Sequence, residues 1–139
     1  ANGPRSSRYG IGGRGNPIPY FTEGALTNQQ VFSRVAKHLL KQRKVSKRET
    51  GATNTCLYRG PNGLRCAIGI LIPNRKYRES FEDKNCTHRQ VYLAAGLRKS
   101  QAFTLGMALQ AVHDNIPVRR WRRALAGVAN DFDLNMVSP

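Results

Sequence analysis

Apolar residues recur at helical intervals over residues 27–44, and this segment is the first element the chain predicts. In TNQQVFSRVAKHLLKQRK, Val31, Phe32, Val35, Ala36, Leu39 and Leu40 form one apolar stripe. Thr27 and Gln30, three residues apart, make a capping-box pattern ahead of it. Arg34, Lys37, Lys41 and Lys44 fall on or beside the opposite face. The polar stretch KVSKRETGATNT that follows sustains no period and reads as a loop.

The pattern changes over residues 56–73, CLYRGPNGLRCAIGILIP. The GPNG tetrad is turn chemistry between short segments suited to strands, which predicts a β-hairpin pairing 56–59 with 64–68. Ala67–Ile72 is apolar throughout and should be buried, with Pro73 stopping the run. NRKYRESFEDKNCTH (74–88) is polar and reads as a loop or a short helical turn.

From Thr87 or His88 onward, Val91, Leu93, Ala94, Ala95 and Leu97 fit a short helix. SQAFTLGMALQAVHDN places Phe103, Met107, Leu109 and Val112 along another, with Leu105 nearby. In IPVRRWRRALAGVANDF, Val118, Trp121, Leu125, Val128 and Phe132 follow a 3-4-3-4 spacing, with Pro117 in the first turn. The predicted fold is a helix-dominated α+β domain over residues 26–139: one N-terminal helix, a short β-hairpin, then about three helices.

Residues 1–25 fit none of these periods. They hold six glycines, three prolines and three arginines, a composition that buries too little apolar surface to offset its chain entropy. The segment reads as an extended arm able to reach up to about 85 Å. Arg5, Arg8 and Arg14 give it charge, and Tyr9, Tyr20 and Phe21 are candidate anchors in a partner's pockets. Hydrophobic residues make up 40% of the chain, as in a globular domain, and no run approaches the length of a membrane span. No membrane partner is expected.

Charge alters the picture most. The 23 Lys and Arg against 8 Asp and Glu give a formal net charge of +15, a field that favours nucleic acid or an acidic protein surface. Two clusters stand out. Arg119, Arg120, Arg122 and Arg123 surround Trp121, which lies on the apolar stripe. Guanidinium groups at this density repel one another unless an anion relieves them, and they suit bidentate phosphate capture. Lys41, Arg43, Lys44, Lys47 and Arg48 form the second cluster, suited to sequence-independent phosphate contact. The alternative for both is a solvated face whose long stems cover apolar surface.

Catalytic chemistry finds little support in the sequence. Three cysteines, Cys56, Cys66 and Cys86, are too few and odd in number for a disulfide framework. With His88 they could supply four zinc ligands, although the spacing differs from a standard knuckle, and burial as small hydrophobes is the simpler reading. His113-Asp114 is the one adjacent acid–base pair. Its expected role is structural, with Asp114 capping the next helix and His113 packing nearby. Glu79, Glu82 and Asp83 read as a solvated loop, and GIGGRG neither follows a predicted strand nor opens a helix. The chain is expected to be no enzyme and to need no cofactor, a structural zinc ion being the alternative.

The 56–73 block resembles a pattern found in a family of small uncharacterised phage and prophage proteins, roughly C-x-Y-R-G-P-x-G-x-x-C-A-I-G-x-L-I-P. LQAVHDNIPVRRWRRALAGVANDFDL is similar to that family's closing segment, so the resemblance covers about residues 27–135 and leaves out the arm. Many relatives carry acidic residues after the LIP, where this chain has Asn74, Arg75 and Lys76. The resemblance implies a phage context and no chemistry. Two roles follow. One is a structural or accessory protein of a phage particle, its arm and basic surface binding neighbouring capsid or other virion subunits, or nucleic acid. The other is a soluble basic factor that binds DNA or RNA. The expected location is the virion or the host cytoplasm.

Overall fold

The computed structural model describes residues 25–48 and 56–137. The arm candidates Arg5, Arg8, Tyr9, Arg14, Tyr20 and Phe21 lie outside the described residues.

Helix α1 spans Asn28–Gln42 and begins as the sequence predicts. The Thr27 hydroxyl accepts from the Gln30 N–H at 3.1 Å, and the Gln30 carbonyl oxygen accepts from the Thr27 N–H at 2.9 Å, so two otherwise orphaned donors are satisfied. Val31, Phe32, Val35, Ala36 and Leu39 are buried along one face. Each large side chain among them contributes about 1.5–3 kcal/mol by leaving water. The helix ends at Arg43, whose backbone is left-handed (φ 50°) and whose N–H closes on Leu39 O at 2.8 Å.

The expected β-hairpin of 56–59 with 64–68 does not form. Among the described residues there is no strand, only an isolated antiparallel bridge between Lys47 and Cys56. GPNG does reverse the chain, through the 3-10 turn Pro61–Gly63 with Asn62 left-handed and Gly60 N–H bonded to Leu64 O at 2.8 Å. Beyond that closure, side chains from other parts of the fold take the backbone groups a ladder would have used. The Glu82 carboxylate accepts from the N–H groups of Tyr58 (2.9 Å) and Arg59 (3.1 Å), and Leu57 pairs with Ser46. On the other arm, Gln42 accepts from Arg65 N–H and Gln110 from Ile68 N–H, both at 3.1 Å. Every one of these donors is satisfied without a sheet. Glu82, expected on a solvated loop, is therefore a half-buried staple that also accepts from the Tyr77 hydroxyl. The apolar run turns inward as the 3-10 turn Gly69–Leu71, and further 3-10 turns occupy Asn74–Lys76 and Glu79–Asp83. The fold is helical rather than α+β.

Helix α2 (Arg89–Ala94) follows, capped by His88. Helices α3 (Lys99–Gln101) and α4 (Met107–Asn115) are joined without a break by a π-helical turn, Ala102–Gly106. Leu105, Leu109 and Val112, at i, i+4 and i+7, are buried, whereas Phe103 and Met107, grouped with Leu109 and Val112 in the sequence reading, lie off that stripe and face outward. A 3-10 turn, Val118–Arg120, leads into α5 (Trp121–Asp131), which buries Trp121, Leu125, Val128 and Ala129.

The core lies where α1 packs against α4, α5 and the Gly69–Leu71 turn. Helices α1 and α5 run antiparallel. At one end, Gln29 and Asn135, which follows α5, exchange two hydrogen bonds at 3.0 and 2.8 Å. At the other end, Ser46 meets the start of α5 through His113.

Candidate polyanion-binding surface

The antiparallel pairing puts the C-terminal end of α1 beside the N-terminal end of α5. These ends carry the two basic clusters, about 75 residues apart in the chain. Their meeting point is His113, whose side chain is fully buried. The buried Ser46 N–H donates to His113 Nε2 at 2.9 Å, which leaves Nδ1 to carry the proton and donate it to Asp114 Oδ1 at 2.7 Å. The imidazole lies against the Trp121 ring, with centroids 5.8 Å apart and planes tilted by 31°. The Trp121 indole N–H donates to Ile116 O at 2.9 Å. One residue of α4 thus ties the 44–48 loop to the first turn of α5.

Around this buried link the charges point outward. Lys41, Arg43, Lys44, Lys47 and Arg48 are exposed, as are Arg119, Arg120, Arg122 and Arg123. Trp121 among them is buried, as its place on the stripe predicts. None of these nine cations is ion-paired among the described residues, where Lys84–Asp83 at 3.3 Å is the only Lys–carboxylate or Arg–carboxylate bridge. Asp114, the nearest acid on α4, is already engaged by His113 and by the Gln110 side chain at 2.8 Å. Burial would raise its pKa, but hydrogen bonds from His113, Cys56 and Gln110 outweigh burial and hold it below the usual carboxylate value. The carboxylate does not cap the following helix, as the sequence suggests, because the two side chains at 113 and 114 bond to each other. Exposed cations gathered at one end of the helix pair strengthen the local positive field, which favours a phosphate chain.

Arg43 adds a detail the sequence does not reveal. A left-handed residue at a helix C-terminus is ordinarily glycine or asparagine, since a Cβ there is strained. An arginine at this position is strained relative to glycine.

The three cysteines line one cavity of about 690 Å³, with Glu82, Gln110 and Asp114. His88 is elsewhere: it is exposed, and its Nδ1 accepts from Gln90 N–H at 3.3 Å. The imidazole near a thiol is instead His113, which with Cys56 and Asp114 forms a group whose potential ligand atoms lie within 4.8 Å of one another. Both of its nitrogens are occupied. Cys66 and Cys86 are buried, and burial foremost pushes all three thiols up, to about 12 for Cys56 and Cys66 and about 11 for Cys86. Thiols held up in this way are weak nucleophiles at neutral pH.

No helix among the described residues is long and apolar enough to cross a membrane. The chain matches no protein-family model, no curated protein and no solved structure.

Proposed function

We propose that this protein is a non-enzymatic nucleic-acid-binding protein that holds the phosphate backbone on the basic end formed by residues 41–48 and 119–123. The observation that carries this reading is the convergence of two sequence-distant basic clusters on the single buried residue His113, with none of the nine cations ion-paired among the described residues. Exposed arginines and lysines without base-reading partners suit sequence-independent contact with phosphates. The arginine at the left-handed end of α1 supports the same reading, since it places charge at the rim where a glycine would be less strained. The phage setting implied by the 56–73 motif makes packaged or replicating phage nucleic acid the natural ligand.

Fluorescence anisotropy with a labelled twenty-base-pair duplex of arbitrary sequence tests the proposal. The full chain should bind at physiological salt, with affinity falling steeply as salt rises. Replacing Arg119, Arg120, Arg122 and Arg123 together by glutamine should weaken binding at least tenfold and flatten the salt dependence. Binding that ignores salt, or a four-glutamine variant that binds as the parent does, refutes it.

A further inference from the structure

A second surface lies at the other end of α1. The chain entering α1 is fixed there by Leu26 N–H to Gly96 O at 3.1 Å and by Gln101 Nε2 to Leu26 O at 2.6 Å. Beside this junction, between α2 and the α3–π segment, is a groove of about 720 Å³. Its lining includes the apolar side chains of Leu93 and Phe103 and the cations Lys76, Arg89, Arg98 and Lys99. No carboxylate lines it among the described residues.

The large hydrophobic side chains left exposed among the described residues are Leu93 (50%), Phe103 (47%) and Met107 (46%). Leu93 and Phe103 share the groove, and Met107 lies one turn beyond Phe103 on the same rod. The exposure of Phe103 is built in. The π turn Ala102–Gly106 turns Leu105 and Gly106 into the core and keeps Phe103 outside it. Lys99 Nζ lies over the Phe103 ring, 5.8 Å from its centre. A half-exposed aromatic ring among cations, with no carboxylate in the groove among the described residues, is complementary to a ligand that is both flat and polyanionic.

We infer that this groove binds single-stranded nucleic acid, a base stacking on Phe103 while Arg98, Lys99 and Arg89 meet the flanking phosphates. Duplex DNA keeps its bases stacked internally and offers the ring nothing, so the groove discriminates single strands from duplex. The basic end contacts phosphates in either form. The inference rests on the nucleic-acid reading of that end and adds to it a preference for unpaired strands.

The test compares four full-length proteins, the parent, Phe103→Ala, Phe103→Trp and the four-arginine variant, on labelled twenty-nucleotide oligothymidylate and on the duplex. Phe103 is exposed, so its substitutions should leave the fold intact, as checked by circular dichroism. Phe103→Ala should weaken oligothymidylate binding by about tenfold and change duplex binding less than twofold. Phe103→Trp should restore single-strand affinity, and its exposed indole should be quenched as oligothymidylate is added. The four-arginine variant should lose affinity for both ligands. Phe103→Ala that binds oligothymidylate as the parent does, or that loses both ligands equally, overturns the inference, as does an unquenched tryptophan. A parent that binds duplex without Phe103-dependent single-strand binding removes the groove's role and leaves the basic end standing. A parent that binds neither ligand removes both.

Discussion

Replacing His113 by alanine should damage the protein more than most single substitutions, and the reasons can be separated. The side chain is fully buried, and its Nε2 is the partner given to the N–H of Ser46, itself fully buried. Leaving that donor without a partner costs about 1–3 kcal/mol. The ring's tilted contact with Trp121 is worth about 0.5–1.5 kcal/mol beyond its buried area. Truncation also leaves a cavity between α4, α5 and the 44–48 loop. These effects overlap, and about 3–5 kcal/mol is a reasonable total, a large share of the roughly 5–15 kcal/mol that holds a typical domain folded. In a domain of this size the melting temperature should fall by roughly 10–20 °C. Thermal melts by circular dichroism measure the loss, and a second variant isolates its cause. In His113→Gln the amide oxygen can take the place of Nε2 and accept from Ser46, so it should recover about 1–2 kcal/mol of the alanine loss. His113→Asn places its amide nearer Nδ1, cannot reach Ser46, and should behave like alanine. If His113→Ala costs less than about 1 kcal/mol, or if glutamine is no better than alanine, the Ser46–His113 link does not hold the two basic clusters together.

Three further outcomes follow from the same geometry. Gly69→Ala should lower stability by about 3 kcal/mol or more in urea denaturation, because a Cβ there would come within 2.9 Å of Tyr58 Cα and closer still to its carbonyl oxygen; a loss below 1 kcal/mol would contradict the packing of the 69–71 turn on residue 58. Arg43→Gly should stabilise the protein by up to about 1 kcal/mol by relieving its left-handed backbone, while weakening duplex binding; a variant improved in both respects would deny Arg43 a role at the surface. Burial, opposed by the hydrogen bond to Arg65 O, lowers the His38 pKa from its ordinary value of 6.5, so between the lowered value and 6.5 the unfolded chain binds more protons and stability must fall as pH drops through that window. Melts from pH 7.5 to 5 should show this decline in the parent and a smaller one in His38→Gln, and equal slopes would exclude His38 as its source.

The parts of this fold that are legible in the sequence are those decided by near neighbours. The Thr27–Gln30 box and the stripe through Leu39 need only the residues of α1 itself, and the Trp121, Leu125, Val128 stripe likewise needs only α5. The hairpin fails because its fate depends on distant partners: Glu82, Gln42 and Gln110 claim the backbone donors of both would-be strands, and no local pattern announces that. In the next helical rod the burial is legible in the spacing: Leu105, Leu109 and Val112 recur at i, i+4 and i+7, whereas Phe103 and Met107 fall off that stripe and are exposed. The π turn at Ala102–Gly106 itself is announced by no local pattern. At the candidate site, each basic cluster is evident by composition alone. Their union is not, because it depends on the antiparallel pairing of α1 with α5 and on a histidine whose two nitrogens face partners 67 residues back and one residue on.

The most direct test of one continuous phosphate-binding end is a ¹H–¹⁵N titration of the full chain with a short duplex. The amides of residues 43–48 and 119–123 should shift together, along curves that fit a single affinity, with the Trp121 indole N–H moving in step. Shifts confined to one cluster, two clusters that titrate with different affinities, or a footprint elsewhere on the molecule would contradict the account.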